Sequence, residues 1–254
     1  GFLSEQPEFA RRCAAAGLVF VGPTVENLAL FGDKARARQE AAAAGVPTLR
    51  GIDHAVSVEE ARGFLSSLGA GGAMIVKALA GGGGRGTRVV ENASDVESAY
   101  ERCRSEAGAA FGVPDVYVEE FIPRARHIEV QIVADGAGNV THLGERECSV
   151  QRRFQKVVEV APAPGLDGAL RDRVIEAAVR LAKHAGYHSL GTFEFLVDVS
   201  GRPAAQPFVF IEANARLQVE HTVTEMVTGV DLVRCQILIA QGHSLHDPPV
   251  NLPP

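Results

Sequence analysis

The chain has no tryptophan, two methionines and three tyrosines, and aromatic residues make up only 6% of its 254 positions. A core must therefore come mainly from aliphatic side chains, and a hydrophobic content of 46% provides enough of them for one large or two smaller domains. Cysteine is scarce as well. Cys13, Cys103, Cys148 and Cys235 form neither a CxxC pair nor a zinc-ligand spacing, which argues against a disulfide scaffold and for reduced thiols in a cytoplasmic or organelle-matrix protein. No apolar run approaches the about 18 residues that cross a bilayer, and no charged-then-apolar leader is present, so a cytoplasmic protein without membrane association is expected. Positive charge is also short, with 25 Lys and Arg against 31 Asp and Glu, a net charge of -6. No general field draws nucleic acid, and any anion site must be assembled from a few placed cations. A Walker GxxxxGK[ST] motif is missing too. The first residue is Gly1 rather than Met, and the opening reads as the middle of a domain, so a fragment is expected.

What the sequence does contain is concentrated in residues 209–221. The stretch starts as a buried β run and then alternates: Glu212, Asn214, Arg216, Gln218 and Glu220 fall on one face of a strand, Ala213, Ala215, Leu217 and Val219 on the other. At about 3.3 Å per residue the polar row would span roughly 26 Å, long enough to reach a metal at one end and an anion at the other. The same spacing describes an ordinary half-buried strand with one wet face.

Along the rest of the chain, residues 8–16 have helical spacing ended by Gly17, and residues 18–21 read as a buried strand whose partners are not in the sequence. Residues 33–44 form a second helix, with Lys34 in its first turn, where a cation opposes the helix dipole and hints at a nearby anion. Ser57 with Glu60, and Ser94 with Glu97, match capping boxes opening two further helices. Between those helices a strand at 74–77 ends in Lys77 and runs into the glycine stretch 81–86, after which 87–90 reads as another strand. The glycines formally match GxGxxG but lack the helix of a Rossmann site; strand, glycine hairpin and strand make either a flap over phosphates or a plain surface hairpin. Strands follow at 116–122, 127–133 and 140–147, and then a basic cluster at 151–156 whose apolar flanks favour anion binding over a surface ion-pair network. Residues 170–185 form an amphipathic helix, and 191–198 a strand that could place Glu194 across from Glu212. Two carboxylates meeting on a partly buried face call for a cation, and Mg²⁺ with Asn214 as a neutral third ligand suits them. The tail 246–254 reads as a linker.

Taken together, GDK (32–34), IVKALAGGGGRG (75–86), ARHIEVQ (125–131), ERECSVQRRFQKVVEVAPAP (145–164), GTFEFL (191–196) and IEANARLQVEHTVTEMVTGVDLV (211–233) closely resemble the biotin carboxylase component of biotin-dependent carboxylases. That family has the α+β ATP-grasp fold, two lobes gripping ATP. The resemblance implies a partial N-terminal α/β domain at 1–32 and an ATP-grasp domain at 33–254, with a small glycine-flap lobe at about 50–122 and a larger catalytic lobe at about 123–247; the family's C-terminal subdomain is missing. It further implies that Lys34 and Lys77 hold the ATP phosphates under Gly82, Gly83 and Gly84, that Glu119, Glu120 and Ile122 read adenine, and that His127 and Gln151 approach the ribose. Glu194, Glu212 and Asn214 would hold Mg²⁺ (or Mn²⁺), bicarbonate would lie against Lys156, Arg216, Gln218 and Val219, and Glu220 would be the general base. Biotin would arrive on a carrier domain, a carboxyltransferase would use the product in acyl-CoA or pyruvate carboxylation, and the full unit would form a homo-oligomer. The chain alone is expected to be weakly active or inactive. Alternatives are another ATP-grasp carboxylate–amine ligase and a non-catalytic ATP-binding module.

Overall fold

The computed structural model describes residues 2–52, 54–79, 86–152, 155–200, 206–248, 250 and 252. A 3-10 turn (Phe2–Glu5) leads into α1 (Pro7–Ala15), α2 (Val25–Phe31) and α3 (Lys34–Ala43). Asp33 caps α3 by accepting from the backbone N–H of Ala35 and Arg36, which fixes where the helix starts and puts Lys34 in its first turn. Then come β1 (Gly51–Ile52), α4 (Val58–Ser67), β2 (Met74–Ala78), β3 (Thr87–Val90), α5 (Val96–Phe111) and β4 (Val116–Glu120). They build an antiparallel four-stranded sheet in the order β1-β4-β2-β3. Its apolar face, with Met74, Val76, Val90, Val116 and Val118, packs on Ala61 and Leu65 of α4 and on Tyr100 and Cys103 of α5.

The second half of the chain holds β5 (Ala125–Ala134), β6 (Val140–Arg152), β7 (Gln155–Val160), α6 (Gly168–His184), β8 (Ser189–Asp198), β9 (Phe208–Asn214), α7 (His221–Thr228) and α8 (Leu232–Ala240). Its five strands are antiparallel in the order β7-β6-β5-β8-β9. One face of this sheet carries Ile128, Val130, Ile132, Phe193, Phe195 and Phe210 and packs on α2, α3 and α6. Phe31, Tyr187, Phe193, Phe195 and Phe210 meet edge to face or tilted, so a third of the few aromatic residues are spent at this one spot. Gly191 is required there, because a Cβ would collide with the Tyr187 hydroxyl. The other face is covered in part by α8, through Leu232, Cys235 and Ile239, and in part by α7. No helix among the described residues is long and apolar enough to cross a membrane.

Several expectations need correction. Residues 18–21 form no strand, and Leu18 and Val19 are 63% and 70% exposed, since no neighbouring strand offers backbone partners. The Ser57/Glu60 capping box is formed, but α5 has Asp95 at its N-cap with no side-chain cap, and Glu97 pairs instead with Arg62. The tail is no loose linker up to Leu252: Leu245 and Leu252 are buried beside α8, and the Leu252 N–H donates to the Leu245 carbonyl. Most consequential, β9 ends at Asn214. A bulge between the pairs Glu194↔Glu212 and Phe195↔Phe210 makes Ile211 an extra residue, and residues 215–220 leave the sheet and lead into α7.

Candidate functional site

The strict alternation expected along 212–220 therefore does not exist. Gln218 is 5% exposed and Val219, expected on the apolar face, is 91% exposed. The chemistry is arranged across the sheet rather than along one strand. Arg146 on β6 lies opposite Glu129 on β5, Glu129 opposite Glu194 on β8, and Glu194 opposite Glu212 on β9. With strands about 4.8 Å apart, three carboxylates and one guanidinium stand in a transverse row. Like charges directly opposite each other repel, so such a row persists only where cations are built in around it.

Three cations and one neutral hydrogen-bond donor meet that need. Lys156, the second residue of β7, reaches Glu129 at 2.5 Å, Glu194 at 3.0 Å and Glu220 at 2.8 Å. Burial pushes the Lys156 ammonium down, but Glu194 and Glu129 outweigh it and raise its pKa above the ordinary value, keeping it charged. At the far end of the row Lys34 reaches Glu212 at 3.0 Å, and the attraction of Glu212, ahead of the opposing effect of burial, raises its pKa too. His127 Nδ1 accepts from the Gln151 amide at 2.8 Å, so its Nε2–H donates to Glu194 at 2.6 Å. Burial alone would push Glu194 upward; the bonds from His127 and the charge of Lys156 hold it at about 2.

Arg146 is the fourth. It is fully buried, and its Nε donates to Glu129 at 2.5 Å while Nη1 serves Gln131 at 3.0 Å and Thr224 at 2.8 Å. Nη2 serves Thr192 at 3.3 Å and Gln218 at 3.4 Å. One side chain thus ties β5, β8, the 215–220 segment and α7 to the floor of the site. Glu129 and Arg146 were both missed from sequence: residues 127–133 alternate polar with apolar, yet in the fold Glu129 and Gln131 are buried along with their apolar neighbours. Arg146 stands between Glu145 and Glu147 in a polar stretch, so nothing in its local sequence signals its burial.

The segment after β9 completes the cluster. Asn214 donates to Glu194 at 2.7 Å and Gln218 donates to the same oxygen at 3.0 Å. Glu220 stands at the N-cap of α7 yet makes no cap; its carboxylate goes to Lys156. Burial raises the Glu220 pKa, the Lys156 bond outweighs it, and the net displacement is downward, so the group is ionised at neutral pH. Arg216 contacts Asn214 at 3.2 Å and Glu5 at 2.9 Å.

The remaining candidates sit on the four-stranded sheet. Glu119 is 6% exposed and takes both Arg38 of α3 and Lys77 of β2; Glu120 holds Arg50 through paired bonds of 2.9 and 3.0 Å; Ile122, just past β4, is half-buried. Gly82, Gly83 and Gly84 lie outside the described residues. The strands flanking them, β2 and β3, do pair as an antiparallel hairpin, with Lys77 opposite Thr87 at its end. Glu194 and Glu212 offer the hard carboxylate oxygens that Mg²⁺ takes, while Asn214 turns its amide N–H to Glu194 and its Oδ1 to Arg216; the cations now on the two carboxylates occupy the charge such an ion would neutralise.

Two antiparallel sheets, one presenting Lys77 near the end of the β2–β3 pair and the other a cation-bridged carboxylate row, define the ATP-grasp class of nucleotide-binding domains. The chain belongs to the family of the carbamoyl-phosphate synthase L chain ATP-binding domain, whose model matches residues 33–247, and within it to the biotin carboxylases, whose N-terminal domain model matches residues 1–28. It is 54% identical over its whole length to pyruvate carboxylase from Bacillus subtilis, of which it covers 21%, and 52% identical over 97% of its length to mitochondrial pyruvate carboxylase from Homo sapiens, of which it covers 20%. The chain thus spans about a fifth of the length of these relatives. Among solved structures it superimposes with a TM-score of 0.87 on the biotin carboxylase–β,γ-ATP complex from Campylobacter jejuni, at 47% identity, covering 98% of this chain and 55% of that one. It matches the biotin carboxylase domain of 2-oxoglutarate carboxylase from Hydrogenobacter thermophilus, solved with MgADP, ADP and bicarbonate, at a TM-score of 0.85 and 46% identity, covering 97% of this chain and 53% of that one.

Proposed function

We propose that this chain is the ATP-grasp core of a biotin carboxylase, which uses ATP to carboxylate biotin on a carrier with bicarbonate by way of carboxyphosphate. The observation that carries the reading is the Lys156 junction, one ammonium held by Glu129, Glu194 and Glu220. A bicarbonate ion entering beside Lys156 would meet a cation and an ionised carboxylate within one hydrogen bond of each other. Glu220 takes the bicarbonate proton as the freed oxygen attacks the γ-phosphorus and ADP leaves, giving carboxyphosphate. Lys156, Arg216, Gln218 and the Val219 backbone hold that anion; Lys34 and Lys77, with Gly82, Gly83 and Gly84, hold the phosphates. His127 and Gln151 face the ribose, and Glu119, Glu120 and Ile122 the adenine. Mg²⁺ on Glu194, Glu212 and Asn214 would absorb charge on the transferring phosphoryl group. Carboxyphosphate then releases CO₂ and phosphate, the phosphate takes the ureido proton of biotin, and the biotin anion adds to CO₂ beside Arg216.

The domain division follows the same reading: 1–32 as part of an N-terminal α/β domain, 33–254 as the ATP-grasp domain with lobes at about 50–122 and 123–247. A biotin carboxyl carrier, a carboxyltransferase, assembly as a homo-oligomer and a cytoplasmic location belong to it as well. The named curated relatives support pyruvate rather than an acyl-CoA as the final acceptor. The test is ADP release by the complete parent protein. Bicarbonate-dependent release stimulated by free biotin supports the proposal; release that requires an amine acceptor supports a carboxylate–amine ligase, and nucleotide binding without turnover a non-catalytic module. Fixation of labelled bicarbonate into pyruvate against acetyl-CoA decides the acceptor.

A further inference from the structure

Arg216 sits in the irregular 215–220 segment, where no strand ladder fixes the backbone, so its side chain depends on its own contacts for direction. Those contacts occupy all three guanidinium nitrogens. Nε donates to Glu5 Oε2 at 2.9 Å, Nη2 to Asn214 Oδ1 at 3.2 Å and Nη1 to the Leu217 carbonyl at 3.4 Å. Nε has a single hydrogen, and Glu5 takes it. Each terminal nitrogen has two, so one N–H on each has no partner among the described residues and can be offered to an incoming anion.

Glu5 reaches this position from far away in sequence. It ends the 3-10 turn Phe2–Glu5 directly before α1, within the stretch matched by the biotin carboxylase N-terminal domain model. The Arg216 and Glu5 side chains are 26% and 36% exposed, so the pair is neither sealed in the core nor a fully solvated surface bridge. Among the described residues Glu5 is the carboxylate partner of Arg216, and no other element sets the Nε edge of the fork.

We infer that Glu5 is a positioning residue for Arg216: a carboxylate contributed by the N-terminal segment turns the guanidinium so that its two terminal nitrogens face the bicarbonate and biotin-anion site. The inference rests on the proposed biotin carboxylase reading. Removing the charge leaves the guanidinium free to rotate about its stem. A misdirected fork weakens capture of the one-carbon anion and of the charge that develops on biotin, while ATP, bound by other residues, is unaffected.

The experiment uses the complete parent carboxylase and four forms: wild type, Glu5→Gln, Glu5→Asp and Arg216→Gln, with the Glu5→Gln/Arg216→Gln double variant closing a cycle. Wild type is first assayed for bicarbonate-dependent ADP release. Glu5→Gln should lower kcat/KM for bicarbonate roughly 10-fold with KM for ATP within about 2-fold of wild type, and Glu5→Asp should recover part of the loss. In the Arg216→Gln background the Glu5→Gln change should have no further effect, which a role in folding alone would not produce. Wild-type turnover with an unchanged kcat/KM in Glu5→Gln, or losses that add in the double variant, overturns the inference alone. Absence of bicarbonate-dependent turnover in wild type overturns the functional reading, and this inference with it.

Discussion

Replacing Arg146 by methionine removes a fully buried cation and five hydrogen bonds while conserving most of the volume. Glu129 would lose one of its two cationic partners but keep Lys156, which places the charge penalty near the lower end of the range for a broken buried pair, about 3 kcal/mol. The bonds to Gln131 and Thr224, at 3.0 and 2.8 Å, add about 1 kcal/mol each; the longer ones to Thr192 and Gln218 are left out. The expected loss is thus about 5 kcal/mol, comparable to the whole stability of a marginal domain. With no tryptophan in the chain, urea unfolding is best followed by far-ultraviolet circular dichroism. The Arg146→Met/Glu129→Leu double variant, which removes both buried charges, should be more stable than Arg146→Met alone, because Glu129 is no longer an under-neutralised carboxylate. A loss below about 1 kcal/mol in the single variant, or a double variant less stable than the single, would refute the view that Arg146 holds the site floor together.

Glu220→Gln in the complete enzyme should lower the rate of bicarbonate-dependent ADP release by about 10²-fold to 10⁴-fold with ATP affinity nearly unchanged, measured by steady-state kinetics and nucleotide titration. Chelation with EDTA should abolish that release and added Mg²⁺ restore it, and Glu212→Gln should raise the Mg²⁺ concentration needed for half-maximal rate. Acid should weaken the anchor between the β5–β6 turn and the segment after α8: burial raises the Asp135 carboxyl, but bonds from Asn139, Leu245 and Ser244 outweigh it and hold it at about 2. A folded pKa below the unfolded one contributes stability above the unfolded value and loses it as pH falls through the folded one. Wild type should therefore lose about 2 kcal/mol between roughly pH 5 and pH 2 that Asp135→Asn does not lose, read as converging urea midpoints; parallel pH curves would sink the assignment.

Much of the fold was legible in sequence because punctuation and period agree: Asp33, the Ser57/Glu60 box and the glycines after helices all mark real ends. The Glu194–Glu212 pairing was readable from two polar residues set in aromatic strands. What escaped depends on tertiary facts. A strand on a sheet covered on both faces can alternate polar with apolar and still bury both sets, which hid Glu129 and Gln131. The bulge at Ile211 and the departure of the chain at Asn214 leave no periodic trace, so a row across four strands was read as a row along one. Residues 18–21 have strand composition without a strand to pair with, and composition alone cannot register that.

Helix α3 carries two cations one turn apart, and they answer to different sheets: Lys34 to Glu212 on the five-stranded one, Arg38 to Glu119 on the four-stranded one. A rod about 15 Å long is thereby pinned at adjacent turns to both halves of the molecule. Breaking the Lys34–Glu212 pair would leave the Arg38–Glu119 pair in place, so each sheet's grip on this helix can be released without the other's.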